Sequence, residues 1–327
     1  MRARLRKTLL AGVTGLLAVA ASAYGLTTAD AATYPNPGVV TGSTFAHDPT
    51  MVKRPAGGYL LAYTAPGIGL KTSADRTRFT DAGKAFPNGT PWADPYTNGD
   101  TNLWAPDISY HGGKYLMYYS ASSFGSSKSA IFLAGSTTGA AGSWTNYGKV
   151  IESTTTSGYN AIDPNLTVTP SGEWYLSFGS FWSGIKMVKL NPSTGKRADS
   201  RIHNIAERFV NSKSVEAPHI YYRGGYYYLF VAFDFCCKGA SSTYRTMVGR
   251  SKSITGPYVD RSGTAMTAGG GTEILASHDA VHGPGHPAVF ADGSQDVLVY
   301  HYYTNAGDAR LGINLLGWDS SAWPYVY

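Results

Sequence analysis

The chain repeats one pattern of polar and apolar positions five times. Each copy has a proline, an apolar residue two positions later, a glycine-rich or polar turn, and then a strand rich in aromatic residues. The prolines are Pro49, Pro106, Pro164, Pro218 and Pro287, and the apolar residues are Met51, Ile108, Leu166, Ile220 and Val289. The turns are Gly57-Gly58, Gly112-Gly113, Ser171-Gly172, Gly224-Gly225 and Asp292-Gly293. Because the turns follow the prolines at a nearly constant offset, each copy predicts a β-hairpin.

The spacing of the copies predicts the fold class. Their prolines lie 54 to 69 residues apart, which is typical of the several-stranded blades of a β-propeller. Five copies therefore predict an all-β, five-bladed β-propeller, closed as a single domain over residues 32–327. A β-sandwich with coincidental proline and glycine spacing is the alternative, and the fivefold match of proline, apolar position, turn and strand argues against it.

Composition and charge narrow the function classes. Aromatic residues make up 13% of the chain, with 24 Tyr and 7 Trp, whereas charged residues make up only 15%. Such a chain is too apolar for intrinsic disorder and poor in the residues that fill solvent-facing helices. The net charge is +6, but no basic run follows the N-terminal residues, which argues against nucleic-acid binding. An acidic polymer such as pectin is compatible with this charge.

The N-terminus has the organisation of a secretory signal peptide. Residues 2–7 are rich in basic side chains, residues 9–23 are apolar or small, and residues 29–31 (Ala-Asp-Ala) form a cleavage motif, with residues 21–23 as the second choice. An uncleaved membrane anchor is the alternative, but the apolar stretch is short and no stop-transfer pattern follows. We therefore predict a signal peptide over residues 1–31 and a secreted, extracellular protein with no membrane segment in its mature form.

Ionisable residues lie beside each repeated proline. They are Asp48, Asp107, Asp163, Glu216 and His286. Because the first strands of successive blades surround the axis of a propeller, residues at equivalent positions converge on one central pocket. Asp107 follows its proline, so its side chain should point differently from those of Asp48 and Asp163. Each residue alone would more often be a turn cap or a surface charge, but the shared repeat position predicts a functional cluster.

Several carboxyl groups in a weakly charged, aromatic-rich pocket fit the hydrolysis of a glycosidic bond. One carboxyl group, whose pKa is raised by burial or by a neighbouring anion, protonates the leaving oxygen, and an ionised one activates water or attacks the sugar. Tyr and Trp side chains offer flat apolar surfaces for sugar rings. The sequence contains no G-x-S-x-G, Walker or H-E-x-x-H motif, so other hydrolytic mechanisms fit less well.

At these positions the sequence resembles glycoside hydrolase family 43 and, within it, the secreted 1,5-α-L-arabinanases of the endo type. The matching motifs are His47-Asp48-Pro49, Trp104-Ala105-Pro106-Asp107, Ala161-Ile162-Asp163-Pro164-Asn165, Ser214-Val215-Glu216-Ala217-Pro218, Phe233-Asp234-Phe235-Cys236-Cys237-Lys238-Gly239, Thr243-Tyr244-Arg245, Val248-Gly249-Arg250-Ser251 and Gly283-Pro284-Gly285-His286-Pro287. They keep the order of the family from about Pro37 to the C-terminus. The resemblance implies a five-bladed propeller, in agreement with the repeat count.

The resemblance also implies catalytic roles. Asp48 would be the general base that holds the attacking water, Glu216 the general acid, and Asp163 the residue that tunes the pKa of Glu216 and orients it. The family inverts the anomeric configuration, so Asp48 and Glu216 should lie about 6.5–9.5 Å apart. His286 matches an axial histidine close to a calcium or similar cation, which would be held mostly by water because a lone imidazole suits a hard cation poorly.

Four further residues match family positions that contact arabinose, namely Trp104, Phe124, Asn165 and Ser183. Packing in the core is an equally good explanation for Trp104 and Phe124. Asp107 is expected to be a structural hydrogen-bonding residue beneath the pocket.

Cys236 and Cys237 are adjacent and are the only cysteines of the chain. An even number in an exported protein suggests a disulfide, although adjacent Cα atoms, about 3.8 Å apart, lie closer than in ordinary disulfides. A vicinal bridge would form an apolar platform for a sugar at the rim of the pocket. Two unbridged thiols are an equal alternative.

The sequence leaves three functions to be distinguished. The first is an arabinan hydrolase, acting as a monomer on arabinan or arabino-oligosaccharides. The second is a sugar-binding propeller without catalysis, which the presence of both Asp48 and Glu216 opposes. The third is a family 43 enzyme of other specificity, such as a β-xylosidase or an exo-acting arabinofuranosidase. The motif at 233–239 and the lack of a C-terminal sandwich domain favour an arabinanase over a β-xylosidase, whereas endo or exo action depends on loops that the sequence does not define.

Overall fold

The computed structural model describes residues 33–327, and within them 23 strands form five sheets. The first sheet has the order β1-β6-β5-β3-β2, the second β10-β9-β8-β7-β4, the third β11-β12-β13-β14 with β15 paired to β13, the fourth β16-β17-β18-β19 and the fifth β20-β21-β22-β23. The strands of the first two sheets are β1 (Thr41–Gly42), β2 (Thr50–Lys53), β3 (Tyr59–Tyr63), β4 (Ala65–Pro66), β5 (Gly69–Ser73), β6 (Arg78–Lys84), β7 (Asn102–His111), β8 (Lys114–Ala121), β9 (Ser129–Ser136) and β10 (Thr145–Ser153). The strands of the third sheet are β11 (Asn165–Val168), β12 (Trp174–Phe178), β13 (Ile185–Asn191), β14 (Lys196–Arg197) and β15 (His203–Ala206). Those of the last two sheets are β16 (Val215–Arg223), β17 (Tyr226–Phe233), β18 (Arg245–Ser251), β19 (Thr272–Leu275), β20 (His282–Asp292), β21 (Gln295–Tyr303), β22 (Ala309–Trp318) and β23 (Pro324–Val326).

Helical structure in the described residues is limited to short turns. A single α-helical turn, α1, spans Asp94–Thr97, and three 3₁₀ turns span Asn211–Lys213, Gly239–Ser241 and Met266–Ala268. No helix among residues 33–327 is long and apolar enough to cross a membrane. The predicted signal peptide, residues 1–31, lies outside the described residues.

The repeated apolar residue forms the same pair in all five hairpins. Each one lies opposite an apolar residue of the next strand, in the pairs Met51–Leu61, Ile108–Met117, Leu166–Leu176, Ile220–Leu229 and Val289–Leu298. All ten side chains are buried. The pattern in the sequence therefore marks the first hairpin of each blade, and the predicted all-β, five-bladed propeller is confirmed.

The first hairpin strands of the sheets form a ring. The strand β2 contacts β7, β7 contacts β11, β11 contacts β16, β16 contacts β20, and β20 contacts β2. These are the strands that contain or directly follow the repeated prolines. The ring therefore brings the ionisable residues beside those prolines together at the axis.

The hydrophobic core lies between neighbouring blades. Successive residues of a strand point to opposite faces, so Tyr115 and Met117 of β8 pack toward the first blade, whereas Leu116 and Tyr118 pack toward the third. The other blades share this arrangement, which gives five apolar clusters between five pairs of sheets. Both faces of each sheet are buried, and this explains the near-continuous apolar runs in the sequence.

The last interface joins the fifth blade to the first. Beside its apolar cluster, the carboxylate of Asp292 accepts a hydrogen bond from Tyr59 at 2.5 Å and forms ion pairs with Lys53 at 2.6 Å and Arg76 at 3.0 Å. Asp292 is buried and comes from the fifth blade, whereas its three partners come from the first. This cluster of charges supports the closure of the ring.

A second set of hydrogen bonds joins each of the first four blades to the next one near the axis, through the residue directly after the repeated proline. The fifth blade has Ala288 at this position. Thr50 Oγ1 accepts from the Ile108 amide, Asp107 Oδ2 from the Leu166 amide and Asn165 Oδ1 from the Ile220 amide, while His219 Nε2 donates to the Val289 carbonyl. We call Thr50, Asp107, Asn165 and His219 the axial belt. The expected structural role of Asp107 fits this position.

We predict that Asn165→Ala destabilises the fold, because it leaves the buried Ile220 amide without its acceptor. One lost partner of this kind costs about 1–3 kcal/mol, so thermal unfolding should shift downward by several degrees. The matched control is Asn88→Ala at an exposed turn, where the change should stay within about 0.5 kcal/mol. An unchanged melting temperature together with a raised KM would instead make Asn165 a substrate contact.

Candidate active site

The residue before each repeated proline has a left-handed backbone. These residues are Asp48, Ala105, Asp163, Ala217 and His286, with φ between 47° and 57°. Such φ values are uncommon outside glycine, and a following proline normally favours an extended conformation. The strand register shifts at this point in three blades. Strain of this kind clusters at functional sites, and here it recurs at the same place in every blade.

These positions surround a cleft of about 440 Å³. In three blades the left-handed residue itself lines the cleft, as Asp48, Asp163 and His286. In the other two the left-handed residue is alanine, and the residue before it lines the cleft, as Trp104 and Glu216. The remaining lining residues are His47, Thr64, Ser123, Phe124, Gly125, Ser126, Asn160, Ile162, Ser180, Phe181, Trp182, Phe235, Cys236, Cys237, Lys238 and Tyr244.

Asp48 lies among hydrogen-bond donors. Its Oδ2 accepts from Thr64 at 2.6 Å and lies 2.9 Å from His47 Nδ1, and its Oδ1 lies 3.2 Å from His286 Nδ1. Burial disfavours the charged form of Asp48, but the neighbouring His47 and His286 outweigh it and hold its pKa well below the usual range. Asp48 is therefore ionised at neutral pH.

Glu216 has the opposite electrostatic character. Burial raises its pKa to about 7, the charge of Asp48 adds to this, and the hydrogen bond that Ser180 Oγ donates to Oε2 at 2.5 Å opposes it. A group with this pKa carries a proton below about pH 7 and is half ionised at that pH. The cleft thus pairs an ionised carboxylate with a protonated carboxyl group.

Asp163 lies beside Glu216 in the wall of the cleft. Burial raises the pKa of Asp163 well above its usual range, and the charges of Glu216 and Asp48 raise it further. Its Oδ2 accepts a hydrogen bond from the amide of Ala217 at 3.1 Å, and its own amide donates to Ser120 Oγ. Asp163 therefore holds the backbone directly next to Glu216.

Two histidines that the sequence did not single out complete the surroundings of Asp48. His301 Nδ1 accepts the hydrogen bond of the Asp48 amide at 3.1 Å, and the rings of His47 and His301 stack with centroids 4.2 Å apart. Burial lowers the pKa of His301 well below its usual range, so it is neutral. The available signal was the position of His301 in strand β21, where all residues after Gln295 and Asp296 are otherwise apolar or aromatic.

The wall of the cleft is aromatic and contains the cysteines. Cys236 and Cys237 form a vicinal disulfide, so of the two alternatives left by the sequence the structure has the bridge. Both line the cleft, as do Trp104 and Phe124, and the Phe124 side chain is 88% exposed. Core packing therefore does not account for Phe124. Phe181 and Phe235 approach each other across the same wall with centroids 6.1 Å apart.

Two residues expected to contact substrate lie outside the cleft. Asn165 is buried in the axial belt, where Nδ2 donates to Asp107 and His219 and Oδ1 accepts from the Ile220 amide, so its polar atoms are already paired. Ser183 lines a separate surface depression with Trp182 and Lys213. The structure therefore does not bring these two side chains into the lining of the cleft, since a match of motifs cannot distinguish a side chain at the cleft from one beneath or beside it; their contact with a substrate stays a prediction. Asn160 and Ser180 line the cleft nearby.

The residues near His286 do not form a protein cage for calcium. Calcium prefers six to eight oxygen ligands, whereas the nearest carboxylate, Asp48, already faces two imidazoles and a hydroxyl group. Since His301 Nδ1 accepts a hydrogen bond, Nε2 carries the proton of the neutral ring and cannot bind a cation. This buried atom has no hydrogen-bond partner among residues 33–327. A cation beside His286 would have to take its ligands mostly from water.

A propeller whose axial cleft pairs an ionised with a protonated carboxyl group has the fold and the site of a glycoside hydrolase. Residues 34–324 match the family described as "Glycosyl hydrolases family 43". The chain belongs to this family, as its motifs predicted, and is a glycoside hydrolase.

Known relatives agree with this assignment. The chain is 46% identical over 284 residues to the extracellular endo-α-(1→5)-L-arabinanase 1 of Bacillus subtilis (strain 168), covering 85% of this chain and 86% of that protein. It superposes on the endo-arabinanase of Bacillus licheniformis with a TM-score of 0.82 at 44% identity, covering 88% of this chain and 99% of the other. It also superposes on the α-L-arabinanase of Cellvibrio cellulosa, complexed with arabinohexaose, with a TM-score of 0.82 at 38% identity, covering 86% and 95%.

We predict that activity falls as the pH rises through about 7, because Glu216 then loses the proton that a general acid must donate. Ser180→Ala removes a hydrogen bond that favours the ionised form of Glu216, so the alkaline limb of kcat/KM should move upward. A charge-assisted hydrogen bond of about 1.5 kcal/mol corresponds to roughly one pH unit.

The control for this prediction is Ser183→Ala, which also removes a serine hydroxyl group, but one that lies outside the cleft. This variant should leave the alkaline limb of kcat/KM in place. A limb that does not move in Ser180→Ala, or that moves equally in both variants, would show that another group sets it.

Proposed function

We propose that the protein is a secreted endo-1,5-α-L-arabinanase that hydrolyses arabinan with inversion of the anomeric configuration. The observation that carries the proposal is the pairing of ionised Asp48 with protonated Glu216 in one cleft. This site lies on a propeller shared with relatives named as endo-arabinanases. Binding of a sugar alone requires no carboxyl group with a raised pKa, so the pair also opposes a non-catalytic function.

Asp48 acts as the general base. Thr64 and His47 occupy one of its oxygens, and the other faces His286. Ionised Asp48 takes a proton from a water molecule as the oxygen of that water attacks the anomeric carbon. Because the attack comes from the face opposite the leaving sugar, the product has the inverted configuration.

Glu216 acts as the general acid. It gives its proton to the glycosidic oxygen as the bond between this oxygen and the anomeric carbon breaks. The step ends with Asp48 protonated and Glu216 ionised, and exchange with solvent restores both. Asp163 positions Glu216 through the amide of Ala217, and its suppressed ionisation avoids a further negative charge beside the acid.

The substrate proposed is arabinan or an arabino-oligosaccharide. An aromatic wall with an exposed Phe124 and the Cys236–Cys237 bridge offers apolar surface to the faces of the sugars. The complex of the Cellvibrio cellulosa relative with arabinohexaose supports an oligosaccharide as the occupant. An exo-acting arabinofuranosidase is the alternative, because an exo-α-(1→5)-L-arabinofuranosidase of Cellvibrio japonicus is also a relative, at 39% identity.

Secretion and the monomeric state are further parts of the proposal. The names of two relatives include the word extracellular, and the first residues of the chain have the pattern of a signal peptide. One chain supplies every lining residue of the cleft described above, so a monomer is sufficient for the chemistry.

We also propose a cation near His286 that is held mostly by water, calcium being the expected ion. It takes no part in the steps above. One imidazole nitrogen and a shell of water would give weak binding and a structural effect only.

The activity and the stereochemistry can be tested in one incubation with linear α-1,5-arabinan. We expect a mixture of oligosaccharides early in the reaction and, by proton NMR before mutarotation, new reducing ends in the β configuration. Asp48→Ala and Glu216→Ala should each abolish hydrolysis while the melting temperature stays close to that of the unchanged protein.

Other outcomes would revise separate parts of the proposal. Release of one small product from the chain end means exo action, and initial α-arabinofuranose means that Asp48 is a nucleophile in a retaining reaction. Turnover by either alanine variant would remove that residue from its role.

Chelation tests the proposed cation. We expect exhaustive treatment with a chelator to lower the melting temperature by roughly 2–4 °C, since an ion that binds only the folded state stabilises it. Added calcium should restore the value, and His286→Ala should remove the response. If the chelator leaves the melting temperature unchanged, His286 lines the cleft but holds no ion.

A further inference from the structure

A chain of hydrogen bonds runs from Asp48 to the vicinal disulfide. His47 Nδ1 lies 2.9 Å from Asp48 Oδ2, and His47 Nε2 lies 2.9 Å from the hydroxyl oxygen of Tyr303. The amide of Cys237 donates to the same hydroxyl oxygen at 3.0 Å. The four residues come from the first, fourth and fifth blades, so this chain ties three blades to the general base.

The direction of the hydrogen bonds follows from the chemistry of the groups. An ionised carboxylate only accepts, so His47 Nδ1 must carry a proton directed at Asp48. In neutral His47 the other nitrogen then accepts from the Tyr303 hydroxyl, while the oxygen of Tyr303 accepts from the Cys237 amide. If His47 is protonated, Nε2 donates to Tyr303 instead. In both states His47 donates to Asp48, so the contact does not depend on the charge of His47.

The His47 ring is constrained at one face and at one edge. One face stacks on His301, with ring centroids 4.2 Å apart, and the edge meets Tyr303, which is 5% exposed. Thr64 donates to the same carboxylate oxygen and itself accepts from the Ala105 amide at 2.8 Å. Oδ2 of Asp48 is thus fixed by two donors, each held by a further partner.

The far end of the chain is held by the disulfide. Cys236 and Cys237 lie in the loop after β17, and Cys237 is exposed at the cleft. The bridge restricts the backbone at Cys237. The amide of this residue donates the hydrogen bond to the hydroxyl oxygen of Tyr303. Cys237 Sγ itself also lies 3.6 Å from His47 Nε2, so the bridge contacts the chain both at His47 and through the Cys237 amide.

We propose that His47 and Tyr303 are positioning residues for Asp48 and that the Cys236–Cys237 bridge anchors their chain of hydrogen bonds. The chain keeps Oδ2 of Asp48 occupied and in one place, so that Oδ1 is presented to the attacking water. This inference rests on the proposed role of Asp48 as general base. When a residue of the chain is removed, turnover should fall while substrate binding changes little. The reason is that misplacement of a catalytic group by about 1 Å costs on the order of 10²-fold in rate.

The test is a set of variants assayed for kcat and KM on linear arabinan. We expect His47→Ala to lower kcat about 10²-fold. In His47→Asn the side-chain amide can replace the Nδ1 donor, so kcat should be about tenfold higher than in His47→Ala. Tyr303→Phe should lower kcat roughly tenfold. In each case KM should change by less than about threefold, as for an interaction that acts on the reacting group and not on the bound sugar.

The matched control is Tyr302→Phe, the neighbouring residue of β21, whose hydroxyl group makes no hydrogen bond among the described residues. It should keep the activity of the unchanged protein. The double variant His47→Ala/Tyr303→Phe should be no slower than His47→Ala, because Tyr303 acts only through His47. Additive losses, or a raised KM with unchanged kcat in Tyr303→Phe, would overturn the proposal.

The anchoring role of the bridge has its own readout. Cys236→Ala/Cys237→Ala should lower kcat to about the level of Tyr303→Phe, and combination with His47→Ala should add nothing further, because both contacts of the bridge reach Asp48 through His47. An unchanged kcat, or a change confined to KM, would overturn this part and assign the bridge to contact with the sugar alone.

Failure of this inference can be separated from failure of the proposed function. If Asp48→Ala keeps activity, the general base is wrong and the proposed function falls first. If Asp48→Ala is inactive while the His47 and Tyr303 variants turn over at the original rate, only the inference is wrong. Melting temperatures measured for all variants distinguish loss of turnover from loss of folding.

Discussion

The contact of each blade with the next one near the axis is the constraint on which the structure depends. In the first four blades the residue after the repeated proline reaches across to the backbone of the following blade, through Thr50, Asp107, Asn165 and His219. The fifth blade has Ala288 at this position and is joined to the first by the ion pairs of Asp292. These buried hydrogen bonds need one register, because a shift by a single residue would turn the side chains to the other face of the strand. The apolar clusters stabilise the same interfaces, but apolar packing is not directional. The hydrogen bonds of the axial belt specify how the blades align.

The same geometry produces the active site. To place the proline and the belt residue correctly, the residue before each proline takes a left-handed backbone that costs of order 1–3 kcal/mol. In three blades this residue is Asp48, Asp163 or His286, and each faces the cleft. In the blade of Glu216 the left-handed residue is Ala217, and the acid comes from one position earlier. Repetition of the backbone thus brings different side chains to one point, which allows one carboxyl group to be surrounded by donors and another by apolar surface.

Burial raises the pKa of any carboxyl group, so the difference between Asp48 and Glu216 comes from their partners. Asp48 has imidazoles beside both oxygens, whereas Glu216 has one serine hydroxyl group. The sequence could show Asp48, Asp163 and Glu216 as candidates because they lie in the repeat. It could not show His301 or Tyr303, because both lie in the middle or at the end of a strand that reads as ordinary core. It also could not show that the polar atoms of Asn165 are paired with neighbouring blades or that Ser183 lies in a separate depression, because both depend on contacts distant in the sequence.

The sequence by itself determined the fold class, the number of blades and the position of each first hairpin, since these follow from local periodicity and turn chemistry that recur five times. It also determined which residues approach the axis. Only the tertiary structure decided what surrounds them, because the partners of Asp48 lie 16 or more residues away from it in the sequence, apart from the adjacent His47. The pKa of a buried group depends on such distant neighbours and on the loss of water, and neither is encoded in a local pattern.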